Sequence, residues 1–329
     1  MKIIQDTVIS FYKFVPVREP AALRSRLWTR CRELGTKGTI LIAKEGINGM
    51  VSGSAEAISE LVQSLRSEEG FEDLDFKESF HQAESFRRML VKVKKYIITL
   101  RLDEDVDPRK ETGHYLDPLE FKKWQDQGRE MVIVDTRNDY EVALGTFRNA
   151  LDPKIKSFDQ FPDWVREHLQ DAKDKVVVTF CTGGVRCEKA TAVMMREGFQ
   201  HVYQLEGGIL RYFEKTMQES GDRHWEGDCV VFDKRKAITP DLQPTKKEIC
   251  YVCLCELTDS NRHAEPFPAG VVCQHCGDSM QQHHKERQQK GLLRHHKNLE
   301  KRSAFLAEER KRYAVKQQMR DAETASLQS

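Results

Sequence analysis

Apolar residues in the first hundred positions repeat at two different spacings. “VISFYKF” (8–14) reads as a strand, and “PAALRSRLWTRCRELG” (20–35) repeats its apolar positions as a helix does, with Gly35 as the stop signal. “GTILIAKEGINGMVSG” (38–53) predicts two strands joined around Glu45-Gly46, a hairpin. “SAEAISELVQSLRS” (54–67) returns to helical spacing behind Ser54, an N-cap candidate. “MLVKVKKYIITL” (89–100) closes the unit as a partly alternating strand. Strand, helix, strand, strand, helix, strand is the order of a ferredoxin-like α+β sandwich, expected over residues 1–105. It shows no catalytic constellation. Arginines and lysines such as Arg24, Arg32, Arg87 and Lys94 read mostly as solvated surface, with an RNA-facing patch as the alternative.

The charged stretch “DEDVDPRKETGHY” (103–115) reads as a linker, and residues 106–126 are assigned to linker and a first helix, “DPLEFKKWQDQ”. Over 127–222, strands “MVIVDTR”, “KVVVTF” and “HVYQL” alternate with helices “FPDWVREHLQ”, “CEKATAVMMREG” and “ILRYFEKTMQE”. Such alternation predicts a mostly parallel, doubly wound α/β sheet. Reactive groups in these sheets sit at the carboxyl ends of the strands. Cys181 follows “KVVVTF” at that place.

Composition narrows the setting. The chain has 329 residues, 39% hydrophobic and 32% charged, and its longest apolar runs, such as “TILIA”, are too short to span a bilayer. The start of the chain lacks the apolar stretch of a signal peptide, so a cytoplasmic, non-membrane protein is expected. Its nine cysteines are then thiols for metal or chemistry rather than disulfides. The net charge of +1 hides an asymmetry, because Lys285–Arg320 holds twelve Lys/Arg against four Asp/Glu. A basic, partly helical tail over 281–329 favours a polyanionic partner, nucleic acid first, or is a solvated extension.

The loop after the strand carries the chemistry. Gly183 and Gly184 allow positive φ, so the N–H groups of Thr182, Gly183, Gly184, Val185, Arg186 and Cys187 can face one concavity. A helix N-terminus and Arg186 add positive charge, which lowers a thiol pKa. A structural cysteine at a strand end needs neither. Cys181 is the expected nucleophile. Cys187 reads as a packed first-turn residue or as a supporting or resolving thiol.

Residues from about 115 to 220 resemble a rhodanese domain through “VIVDTRNDYEVALGTFRNA”, “CTGGVR” and “VYQLEGGI”. The resemblance implies a persulfide on Cys181, with Asp135, Arg137 and Glu141 bracing the loop. Thr146 departs from it, where rhodaneses often carry His. Four residues separate Cys181 from Arg186, one fewer than in a phosphatase of similar fold, which favours sulfur chemistry. The longer “CTGGVRCEKA”, the N-terminal “EGING” and a later cysteine cluster together resemble the rhodanese-domain tRNA uridine hydroxylase family. That likeness reaches to about residue 280. It implies oxygen-dependent hydroxylation of the wobble uridine (position 34) to 5-hydroxyuridine, with molecular oxygen as co-substrate and the tRNA anticodon region as partner. No glycine fingerprint for a dinucleotide follows a strand, and no local His-and-carboxylate set offers iron, so the electron donor stays open. A plain rhodanese-type sulfurtransferase and a non-catalytic RNA-binding adaptor are the alternative readings.

“CYVCLC” and “CQHC” place Cys250, Cys253, Cys273 and Cys276 as two C-x2-C knuckles nineteen residues apart, the spacing of a structural zinc site, within a segment spanning 223–280. Cys255 and His275 leave room for the ligand set to shift by one. A filled four-cysteine site has no open position and would hold structure.

Overall fold

The computed structural model describes residues 6–102, 106–264, 270–279 and 282. Its first segment forms five strands, β1 (Asp6–Phe14), β2 (Lys37–Ala43), β3 (Gly46–Gly53), β4 (Lys77–His81) and β5 (Met89–Val93), in the order β4-β1-β3-β2-β5. Helices α1 (Pro20–Glu33) and α2 (Ala55–Arg66) cover one face, α2 opening on an Ala57 N–H that donates to the Ser54 hydroxyl at 3.2 Å. The first four strands have the ferredoxin-like order. One assignment is corrected: the closing strand is Lys77–His81, antiparallel to β1, while 89–100 supplies only β5, parallel to β2 at the far edge. β4 gives no apolar signal because it is an edge strand, with Phe80 exposed.

Period-two alternation divides this sheet cleanly. Ile9, Phe11, Ile40, Ile42, Ile47 and Val51 are buried with Leu23 and Leu27 of α1 and Leu61 and Leu65 of α2. Each such side chain contributes roughly 1.5–3 kcal/mol on leaving water. The alternate residues, Ser10, Tyr12, Thr39, Leu41, Asn48 and Met50, occupy the opposite face.

The second segment is built on four parallel strands, β6 (His114–Leu116), β7 (Val132–Asp135), β9 (Val176–Phe180) and β10 (His201–Leu205), ordered β6-β10-β9-β7. Between β7 and β9 lie α4 (Asp139–Val142), β8 (Gly145–Phe147) and α5 (Phe161–His168). Val177 and Val202 pack on one face with Phe161 and Val165 of α5 and Ala190 and Val193 of α6 (Val185–Arg196). Val178, Phe180 and Leu205 pack on the other with Phe121 of α3 (Pro118–Asp126) and Ile209 and Phe213 of α7 (Gly208–Thr216). This is the mixed α/β, rhodanese-like architecture the sequence predicts. Two details differ. β6 lies at the end of the stretch read as linker, where three residues give no periodicity. The strands β11 (Trp225–Gly227), β12 (Cys229–Val230) and β13 (Ala237–Ile238) belong to this unit, since Trp225, Cys229 and Ile238 join its core.

The chain divides into a compact unit ending at Leu257 and a second beginning at Thr258. In the second, an antiparallel bridge joins Arg262 to Cys273, and the His263 ring lies where a Cβ on Gly277 would stand. Among the described residues no helix is long and apolar enough to cross a membrane. The basic tail expected at 281–329 lies outside the described residues, apart from Gln282.

Candidate active site

Cys181 is the first residue beyond β9, and the chain must turn at once from a strand into α6. Gly184 makes the turn with φ +100°, a conformation that L side chains rarely adopt. Its N–H then points back at the Cys181 sulfur, 3.1 Å away. The outer side of the loop is held by α7, whose Ile209 and Leu210 N–H groups donate to the carbonyls of Cys181 (2.9 Å) and Thr182 (3.0 Å). Gly208 is required for that approach, because a Cβ there would stand 2.4 Å from the Cys181 carbonyl oxygen.

Arg186 is nearly buried and makes a two-pronged pair with Glu141, both N–O distances 2.7 Å. Glu141 also accepts from the Asn138 N–H at 3.1 Å, and against the cost of its burial Arg186 holds its carboxyl below the usual range. A second buried pair stands behind it: Arg137 bonds Asp135 at 2.9 and 2.6 Å and the Gly145 carbonyl at 2.6 Å. The Thr146 hydroxyl donates to Asp135 at 2.8 Å, so the departure from the family pattern is filled by a hydrogen bond. Asp135 and Arg137 thus tie β7 to β8 beneath the loop, while Glu141 and Arg186 tie α4 to α6.

Burial alone would push the Cys181 thiol up. The Cys187 thiol hydrogen-bonded to it, the Arg186 charge, and the N–H groups of Arg186 and Gly184 outweigh that and lower it to about 6. Cys187 shifts the opposite way: burial and its neighbour Cys181 push it up, and its sulfur lies 3.6 Å from the Thr136 hydroxyl. The two thiols therefore differ at neutral pH, one an anion and the other its protonated donor. Cys187, for which the sequence leaves two roles open, is fully buried in the first turn of α6 and hydrogen-bonded to the Cys181 sulfur.

A cavity of about 520 Å³ opens over Cys181, and its far wall is the outer face of the first sheet. The sequence shows no catalytic constellation in that domain. The structure brings Ser10, Tyr12, Thr39 and Asn48 to the cavity. The alternation of polar and apolar residues along β1, β2 and β3 was the available signal, but it does not say what the polar face meets. The Tyr12 hydroxyl donates to Glu188 of α6 at 2.9 Å, and Lys189, fully buried, pairs with Glu45 at 2.9 Å. The α1 arginines belong to the helix layer on the opposite face, where Arg26 pairs with Glu68 and Arg30 with Glu60. Arg87 and Arg88, both exposed, directly follow Phe86 of the cavity wall.

Farther along, the Leu254 N–H donates to the Cys250 carbonyl at 3.2 Å and the Cys250 N–H to the Cys255 carbonyl at 2.9 Å, which makes a tight knuckle. In the first unit the thiols of Cys250, Cys253 and Cys255 lie within 4.8 Å of one another and could hold a metal ion. Cys273 and Cys276 belong to the second unit. Soft thiolates fit zinc.

Residues 7–97 match the UPF0176 acylphosphatase like domain family, and residues 117–215 the rhodanese-like domain family. Among solved structures the chain is similar to a rhodanese-like domain from Anabaena sp., at 20% identity over 34% of this chain and 78% of that one, with a TM-score of 0.29. A rhodanese-like domain protein from Staphylococcus aureus is 26% identical over 34% of this chain and 96% of that one, with a TM-score of 0.27.

Proposed function

We propose that this chain, which joins a UPF0176 N-terminal domain to a rhodanese domain as the UPF0176 rhodanese-domain family does, is a tRNA-modifying enzyme. The reaction is oxygen-dependent hydroxylation of the wobble uridine, position 34, to 5-hydroxyuridine. The observation that carries this reading is the cavity over Cys181. A rhodanese loop that only relays sulfur needs an anion-sized mouth. Here an open cleft of about 520 Å³ lies between the loop and a second domain, a volume within the range of small-molecule sites.

The residues divide the work. Cys181, anionic at neutral pH, adds to C6 of the uracil ring, and the displaced electron density makes C5 nucleophilic. C5 gains one oxygen atom from O2. The other leaves as water with two protons and two electrons from a reductant outside the chain. Loss of the C5 proton and release of Cys181 restore the ring. Arg186 and the loop N–H groups stabilise the sulfur anion before addition and after release. A metal held by the four cysteines would be structural, since a filled thiolate site leaves no position for a substrate. Exposed Arg87 and Arg88 and the basic tail supply charge for the RNA backbone.

The test is incubation of the purified chain with unmodified tRNA, O2 and a thiol reductant, followed by nucleoside mass spectrometry. Formation of 5-hydroxyuridine supports the reading. Sulfur transfer from thiosulfate to cyanide, with the tRNA unchanged, would replace it with a sulfurtransferase.

A further inference from the structure

The “EGING” motif stands out in the sequence, and the loop chemistry leaves it unused. Its glycines have packing reasons: a Cβ on Gly46 would stand 2.0 Å from the Lys13 carbonyl oxygen, and one on Gly49 would stand 2.6 Å from the Phe11 ring. Its two polar residues converge on the backbone of one residue, Ile97. Glu45 accepts the Ile97 N–H at 2.7 Å, and the Asn48 side-chain amide donates to the Ile97 carbonyl at 3.2 Å. The other Glu45 oxygen pairs with Lys189 of the loop helix. Asn48 itself lies in the middle of the outer sheet face, directly across from Tyr12 on β1 and Leu41 on β2, and lines the Cys181 cavity.

We infer that Asn48 reads the imide edge of the base entering this cavity and makes the site selective for uracil over cytosine; the inference rests on the uridine reading above. A side-chain amide has two donor hydrogens and two acceptor lone pairs. Among the described residues the Asn48 amide spends one donor, on Ile97. One N–H and the carbonyl oxygen remain, the complement of a ring N3–H beside a ring carbonyl. Because a backbone carbonyl only accepts, the Ile97 bond fixes which end of the amide is oxygen, and a flip would forfeit it. Uracil pairs with that fixed edge through N3–H and O4. Cytosine has a lone pair at N3 and an amino group at C4. It pairs with the same edge only when turned over, which carries its C5–C6 edge away from Cys181. Selection then comes from an unsatisfied amide as well as from a formed one.

The experiment uses the full chain and an anticodon stem-loop RNA whose position 34 is uridine, cytidine or 3-methyluridine, the last with a methyl group in place of the N3 hydrogen. Affinity and 5-hydroxyuridine yield are measured for the wild type and Asn48→Ala, with thermal melting to show that both are folded. Expected for the wild type is about tenfold or greater loss of affinity on N3 methylation, the scale of leaving a buried polar group unpaired, with a similar loss for cytidine. Asn48→Ala should bind the three RNAs within about threefold of one another. A wild type that hydroxylates uridine yet binds all three RNAs equally overturns the inference and leaves the proposed reaction standing. A wild type that forms no 5-hydroxyuridine from any RNA removes both. The wild-type series needs no substitution, so an unfolded Asn48→Ala does not blunt it.

Discussion

At the scale of single residues, the site depends on one sulfur being an anion while its neighbour is not. Cys181 is held down to about 6, below the ordinary thiol value of about 8.5, while Cys187 is held up. A depressed thiol is protonated and unreactive below its pKa and reactive above it. Alkylation by iodoacetamide should therefore rise through about pH 6 and level off by neutral pH. In Arg186→Ala the cation is gone, the thiolate loses support, and the rise should move to higher pH. An unchanged midpoint would assign the shift to the Cys187 thiol and the backbone N–H groups. Cys181 and Arg186 were legible in the sequence because loop and helix place them five positions apart. Glu141, forty-five positions from Arg186, was reached through a family likeness and needed the fold to show the pair. Tyr12 was not legible, and Asn48 was marked only by the likeness carried by “EGING”, because no local spacing relates β1 or β3 to the loop.

At the scale of elements, the long periodic segments were read correctly and the short edges were not. α1, α2, α6 and the central strands carry apolar stripes whose burial the sequence predicts. β4 and β6 lie at sheet edges and have too few buried positions to leave a pattern. The loop between β9 and α6 turns on Gly184, where a side chain would be forced into φ +100° with its Cβ 2.8 Å from the Tyr12 hydroxyl. Gly184→Ala should cost about 1–2 kcal/mol in backbone strain. It should also turn the N–H away from Cys181, seen as a lower melting temperature and slower alkylation at neutral pH. Wild-type alkylation by that variant would show that the Gly184 N–H does not support the thiolate.

At the scale of the whole molecule, two further claims can be separated from the chemistry. If the cysteine cluster holds zinc, metal analysis should find about one ion per chain. Cys250→Ser and Cys255→Ser should then both lower that content, because both thiols lie in the cluster of the first unit. Loss with Cys250→Ser and full content with Cys255→Ser would favour the two C-x2-C knuckles, Cys250, Cys253, Cys273 and Cys276, instead. Removing residues 285–329 should weaken tRNA binding and flatten its salt dependence, because twelve Lys/Arg leave with only four acidic residues before Arg320. An equal salt slope would place the phosphate contacts elsewhere. The central claim is that a thiolate at Cys181 modifies the wobble uridine, and 5-hydroxyuridine in tRNA from cells whose only copy is Cys181→Ser tests it most directly. A serine hydroxyl is not ionised at neutral pH and carries no persulfide. The account predicts loss of the modified base with the protein still folded; tRNA modified to the wild-type level would contradict it.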